Sequence, residues 1–415
     1  TPDTQVRSLV LYPAELWAVK ILSIRKTAFP YQTHPNSTRQ TMHLEGITVL
    51  ALEQAVAAPY ASGRLAEEGA RVIKVERPEG DFAREYDRTV KNQSAYFVWL
   101  NAGKESVALN LRAANDKKLF TNMLKHADVF IQNLSPGAIS RLGIELSELR
   151  NQNPGLITCS INGYGEHGPL KEQKAYDLLI QAESGICSVT GIGDQLTRVG
   201  VSVSDISAGM NAYQEILLAL YKREKDPEKK GADISVSLFH SSADWMNVPY
   251  LQYVYGGELP KNPGLEHPTI APYGSFTTLE NEQILISVQN QGEWQTFCDQ
   301  VLKKPRLKAR RMFLKNLDRV KNRVHLNKII DGIFASTSEK ELIKRLNAAG
   351  IAFGKINDVA ALSKHPQARF RRVKIQKDQI SMLGRGAQKE ITKEKILQIP
   401  KLNEHGEKLR EEFSN

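Results

Sequence analysis

From Gly46 onward, strand-like apolar runs alternate with helix-like ones, and that alternation limits the folds open to the chain. "ITVLAL" reads as a strand, "APYASGRLAEEGA" as a helix ending at Gly69, and "RVIKVERPEGD" as a second strand running into a turn. Parallel strands need a helical crossover between them, so this order reads as a βαβ unit. The pattern continues through "SVALNL" (Ser106 to Leu111), "AANDKKLFTNMLKHA", "DVFIQN", a helix opening at "PGAISRLGI", and "LITCSI" (Leu156 to Ile161). The expectation is an α/β fold with a doubly wound, Rossmann-like domain. The first strand runs into "LEQAVAAP", not G-x-G-x-x-G, and no P-loop occurs, which argues against a nicotinamide or flavin enzyme and an ATPase.

At 415 residues the chain can bury a large core. Its formal charge of +10 suits an anionic partner without choosing one. Cys159, Cys187 and Cys298 lack metal-ligand spacing, so no metal site is expected and free thiols in a reducing compartment are. No run is long and apolar enough to span a bilayer, so no membrane partner is expected. Residues 1–43 are basic, rich in Ser and Thr and nearly free of acids, the profile of an organellar transit peptide, and a mitochondrial location is expected; an extension outside the fold is the alternative. Otherwise a cytoplasmic or peroxisomal location is expected. Lys303 to Lys328 carries eleven basic residues against one acid, Asp318, interleaved with Leu314, Leu317, Val320 and Val324. That reads as a solvated amphipathic helix; without aromatic stacking residues, no nucleic-acid partner is expected.

One acid stands out. "KEQKAYDLLIQAESGICSVTG" (Lys171 to Gly191) places Asp177 at the start of an apolar helical run, behind the turn-rich "NGYGEHGP". An acid there can be an N-cap or a first-turn charge. Flanking glycines also let backbone approach a ligand closely.

From about Leu44 to its end the chain resembles the class III CoA-transferase family, the formyl-CoA and carnitine CoA-transferase group. "GITVLALEQAVAAPYASGRLAEEGARVIKVERPEGD", "NAGKESVALNLR", "QNLSPGAISRLG", "SINGYGEHGP", "AYDLLIQAESG", "HPTIAPYGSFTT" and "AGIAFGKINDVAAL" carry the resemblance by their order and spacing. It implies that Asp177 is a nucleophile that attacks an acyl-CoA thioester, giving an acyl–aspartyl anhydride and then an aspartyl–CoA thioester. Coenzyme A is then a co-substrate, with no tightly bound cofactor. The resemblance places Gln54, Ala55, Val56 and Ala57 near the reactive sulfur, Arg77 and Arg112 on the phosphates, Leu109, Asn133, Leu134 and Arg141 along the nucleotide, and Asn162, Gly163 and Tyr164 in the next binding loop. Formyl-CoA transferases carry glutamine where Val56 stands, which disfavours a formyl or oxalyl substrate. "GVSVSDISAG" is similar to the succinyl-CoA–dicarboxylate branch, with glutarate or itaconate as acceptors; Tyr176, Arg198 and His267 are candidates to meet the acid. "YGGELPKNPG" (Tyr255 to Gly264) is a candidate lid. An α-methylacyl-CoA racemase-like enzyme is the alternative, though racemases have histidine where Tyr176 stands; a catalytically silent CoA-binding protein is another.

The resemblance further implies a Rossmann-like large domain plus a smaller α/β domain. Expected boundaries are 44–254 for the first part of the large domain, 255–335 for the small one, and 336–415 for a segment returning to the large one. Two such chains form an interlocked, ring-like homodimer in this family. Asn403 stands where glycine is common, so the turn there is open to question.

Overall fold

The structure, a computed structural model, describes residues 42–387 and 396–414. Almost all of the leader-like segment lies outside the described residues. Residues 43–415 form one unit.

Its central sheet has six strands: β1 (Thr48–Leu52), β2 (Arg71–Glu76), β3 (Lys104–Ala108), β4 (Val129–Gln132), β5 (Ile157–Asn162) and β6 (Asp233–Ser237). Their order is β3-β2-β1-β4-β5-β6, with every neighbouring pair parallel. Helices cover both faces, which is why the strands read as unbroken apolar runs. Val49, Ala51, Val72 and Ile131 pack on one face with Leu65 and Ile216. Leu50, Ile73 and Phe130 pack on the other with Phe120 and Leu409. On the first face lie α1 (Ala57–Glu67), α2 (Asp177–Glu183) and the long α3 (Val203–Lys225). α3 can lie close on α1 because Gly209 has no side chain: a β-carbon there would stand 2.6 Å from the Ala57 carbonyl oxygen.

Two sequence expectations are corrected. The third strand covers Lys104–Ala108, not Ser106 to Leu111. Beyond it the chain turns, with Asn110 Oδ1 accepting from the Arg112 amide at 3.2 Å. The basic stretch 303–328 is not one amphipathic helix. It breaks into short turns at Pro305–Ala309 and Arg311–Phe313 and helices at Asn316–Lys321 and Arg323–Phe334. Leu314, Leu317 and Val324 are exposed, whereas Leu307, Phe313 and Leu326 are buried. Arg319 is buried as well, its guanidinium 4.9 Å from the Trp294 ring and bonded to the Ala271 carbonyl at 2.7 Å. These residues belong to a second core under the antiparallel sheet β7 (Tyr273–Thr277), β8 (Gln283–Ser287) and β9 (Ala352–Lys355).

Three further strands, β10 (Phe370–Ile375), β11 (Asp378–Leu383) and β12 (Leu397–Ile399), form a small sheet. The last helix, Gly406–Glu412, seats Leu409 and Phe413 in the core that holds Leu50. The turn before it forms with Asn403 at φ +57°, a left-handed conformation that asparagine tolerates. Its Oδ1 accepts from the Ala108 amide at 2.9 Å, which glycine could not do.

Candidate active site

A doubly wound sheet leaves a crevice where its strand order reverses, at the carboxyl ends of the strands beside the reversal. Here β1 and β4 flank that point, and a cavity of about 450 Å³ opens there. Gln54 to Ala57 follow β1, Asn133 to Pro136 follow β4, Asn162 ends β5 and Gly163 follows it; all line the cavity. The first two loops are joined by reciprocal bonds. Gln54 N donates to Asn133 Oδ1 at 2.9 Å, and Asn133 Nδ2 to Gln54 O at 2.8 Å. Ala55 holds a left-handed φ of +61°, with its amide donating to Asp81 Oδ1 at 3.1 Å.

Behind this loop lies a buried ionic group. Lys74 Nζ stands 2.9 Å from Asp81 Oδ2 and 3.4 Å from Glu53 Oε1. Lys104 Nζ reaches the same Glu53 oxygen at 2.6 Å, and Ser62 Oγ donates to Glu53 Oε2 at 2.5 Å. Burial acts to lower the Lys74 ammonium, but the Asp81, Glu53 and Glu76 carboxylates outweigh it and hold it above the ordinary lysine range.

Asp177 is the first residue of α2, half-buried in the cavity wall. Its carboxylate does not cap its own helix. Oδ1 accepts from the Ser204 and Asp205 amides at 2.8 and 3.3 Å, in the first turn of α3. Oδ2 accepts from Gln181 Nε2 at 2.7 Å, and Gln181, fully buried, is itself fixed by the Val199 amide at 2.9 Å. Three donors and the positive end of a 23-residue helix thus surround an anionic side chain. Gly163 lets the loop after β5 close on the approach to α2, since a β-carbon there would lie 2.4 Å from that of Ala175.

Of the residues expected at the site, Gln54, Ala55, Val56, Ala57, Asn133, Leu134, Asn162, Gly163, Tyr176, Asp177 and Arg198 share this one cavity. Tyr164 is buried beside it against Phe239. Arg77, Arg112 and Arg141 are exposed beyond β2, beyond β3 and at the end of the short helix Ala138–Arg141. Leu109 is in the core, so only its main chain can face a ligand. His267 stacks on Tyr273 at 5.2 Å, away from the cavity lining. Burial and then Arg323 push its imidazole below the usual range, which favours the neutral ring. The segment 255–264 is tied down at its end: Asn262–Pro263 pairs with Gly191–Gly193 and the Gly264 amide donates to Gly191 O at 2.9 Å.

Gln181, Ser204 and Asp205 went unread in the sequence. Their one signal is the Ser-Asp pair opening the helix in "SDISAG", which reads as an ordinary cap. Burial, and then the Asp177 charge, raise the Asp205 carboxyl to about 7. Among the described residues, no group of His, Cys, Asp and Glu is placed to hold a metal ion, and no helix is long and apolar enough to cross a membrane.

Known proteins share this architecture. The chain is 34% identical over 375 residues to the acetyl-CoA:oxalate CoA-transferase of Acetobacter aceti, covering 89% of this chain and 95% of that one. It is 32% identical over 328 residues to the human succinyl-CoA:glutarate CoA-transferase, covering 78% and 74%. The crystal structure of a CaiB/BaiF family protein from Brucella suis superposes with a TM-score of 0.76 at 31% identity, covering 90% of this chain and all of that one. Residues 44–406 match CoA-transferase family III, and with relatives this similar over most of their length, the chain belongs to that family and is a CoA-transferase.

Proposed function

We propose that the enzyme moves CoA from an acyl-CoA, with succinyl-CoA the favoured donor, to a small dicarboxylic acid, and that Asp177 carries the transferred group. The supporting observation is the tethered Asp177 carboxylate at the strand-reversal cavity. One Asp177 oxygen attacks the thioester carbonyl, the C–S bond breaks, and an acyl–aspartyl anhydride forms. The CoA sulfur returns to the Asp177 carbonyl carbon, expelling the donor acid and leaving an aspartyl–CoA thioester. The acceptor carboxylate repeats both steps in reverse. An anhydride keeps the thioester's activation. Each tetrahedral oxyanion needs donors. The first-turn amides of α1 are suited to this. Val56 offers no side-chain cap there, and the Val56, Ala57 and Ala58 amides make no hydrogen bond among the described residues.

Lys174 and Arg198 on the cavity wall suit a substrate with a carboxylate at each end. The exposed Arg77, Arg112 and Arg141, none in an ion pair among the described residues, suit the CoA phosphates. The racemase reading lacks its histidine, since Tyr176 precedes Asp177. To test the proposal, purified protein is incubated with succinyl-CoA or acetyl-CoA and with glutarate, itaconate, hydroxylated succinate or oxalate. Oxalate belongs in the panel because a relative is named for it, whatever Val56 suggests. New acyl-CoA separated by chromatography is the expected result. Solvent deuterium entering a 2-methylacyl-CoA, with no new acyl-CoA from any acid, would replace this reading with the racemase one.

A second copy of the chain is proposed as partner, in a ring-like homodimer. Helix α4 (Asn247–Gly256) buries none of its residues, and Tyr250, Leu251, Tyr253, Val254 and Tyr255 are all exposed. An apolar face of this kind marks an interaction surface. Light scattering should give twice the 46.5 kDa chain mass at micromolar concentration; a monomer would refute it. A mitochondrial location is proposed from the basic, acid-poor residues 1–43.

A further inference from the structure

The cavity holds a second carboxyl group that the scheme above leaves idle. Asp205 lies in the first turn of α3 and lines the same wall as Asp177. Its amide is spent on Asp177 Oδ1, yet its carboxyl has no hydrogen bond or ion pair among the described residues. The titratable and charged groups sharing this wall are Asp177, Tyr176 and Lys174 around the start of α2, Tyr86 and Asp87 from the segment after β2, Tyr96 from the helix Ala95–Leu100, and Arg198 before α3. None of them bonds to the Asp205 carboxyl. Two neighbouring carboxyls in a half-dry site cannot both ionise freely, and Asp177, with three donors, is the one equipped to hold the charge.

The transfer reaction has a matching need. Each time the C–S bond breaks, CoA departs as a thiolate, the anion of a thiol at least as weak an acid as cysteine, whose ordinary pKa is about 8.5. A free thiolate at this partly desolvated cavity wall is costly, yet it must stay close enough to return. We propose that Asp205 is the acid–base partner of the CoA sulfur. This rests on Asp177 being the carrier. As the C–S bond breaks, its electron pair goes to sulfur and the Asp205 proton follows, leaving CoA thiol and an Asp205 carboxylate. When sulfur attacks the anhydride, the proton returns to Asp205, a new S–C bond forms, and the other half of the anhydride leaves as carboxylate.

The charges assist this exchange. Acylation neutralises Asp177 and so removes the charge that helps keep Asp205 protonated. Asp205 becomes the stronger acid at the moment the thiolate leaves. Release of Asp177 as a carboxylate restores the proton's affinity for Asp205.

The test is the pH dependence of transfer from succinyl-CoA to whichever acid the panel identifies. It is measured on the full chain between pH 5.5 and 9, beside intact-mass detection of the Asp177 adduct. In the resting enzyme Asp205 is protonated below about 7, so the wild-type rate should fall as pH rises through that region. Asp205→Asn keeps the α3 amide that holds Asp177. It should lose on the order of 10²-fold in rate, lose the basic limb, and still form the adduct slowly. Asp205→Glu should retain the limb. A flat wild-type profile overturns the proposal, even if the variants fail to fold. So does an Asp205→Asn enzyme that keeps both rate and limb. An adduct with a flat profile removes Asp205 alone, whereas no adduct in the wild type removes the Asp177 carrier and this proposal together.

Discussion

Asp177→Ala should lower CoA transfer by on the order of 10⁴-fold or more, the scale on which loss of a covalent nucleophile acts. The fold should survive. The carboxylate caps two α3 amides, from Ser204 and Asp205, and losing a cap costs about 1 kcal/mol. The site faces an open cavity, so water can take over those donors. Asp177→Asn is the sharper companion. Its oxygen can still face the α3 amides, but its NH₂ then meets Gln181 Nε2, which the Val199 amide prevents from turning over. Both variants should melt within a few degrees of wild type, and neither should show a covalent adduct by intact mass after mixing with acyl-CoA. Wild-type enzyme trapped with hydroxylamine should carry the modification on Asp177. Turnover by the alanine variant within tenfold of wild type would end the carrier mechanism.

Of the two readings of Asp177 open in the sequence, cap and nucleophile, the hydrogen bonds bear on the first, and the proposed nucleophile would use the same tethered carboxylate. The side chain is a cap, but for α3, 27 and 28 residues further on, rather than for its own helix. That long-range use is what local spacing hides, and Gln181 and Asp205 go unread for the same reason. The parallel sheet is legible because strands buried on both faces announce themselves as apolar runs. The small sheet β10 to β12 is not. "FRRVKIQKDQISML" buries only Val373 and Ile375 of its residues, and its charges read as surface. The ionic group behind the β1 loop is hidden by a related ambiguity. Lys74 in "RVIKVE" looks like an outward-facing residue of an alternating strand, yet its side chain is fully buried. The basic stretch 303–328 misleads in the opposite sense, because Arg319 spends its charge inside the second core on backbone carbonyls.

That buried group carries the largest stability prediction. Lys74, Lys104, Glu53 and Asp81 sum to no net charge, and all four side chains are sealed from water. Such a group adds little over an apolar substitute, but removing one member strands a partner at about 3–5 kcal/mol. Lys74→Met leaves Asp81 without its cation and Glu53 with Lys104 alone. The expected loss is of that size, a drop of roughly 5 °C in melting temperature for a chain this long. Activity should fall beyond what unfolding explains, because Asp81 Oδ1 also holds the left-handed Ala55 amide at the cavity wall. Asp81→Asn in the same chain should restore part of the loss, since an asparagine oxygen can still accept from Ala55 and Ala83 while the stranded charge disappears. A double-mutant cycle should therefore show coupling of about 1–3 kcal/mol. If the two substitutions simply add, the pair is not what holds the loop, and its left-handed turn must be maintained by the Gln54–Asn133 bonds instead.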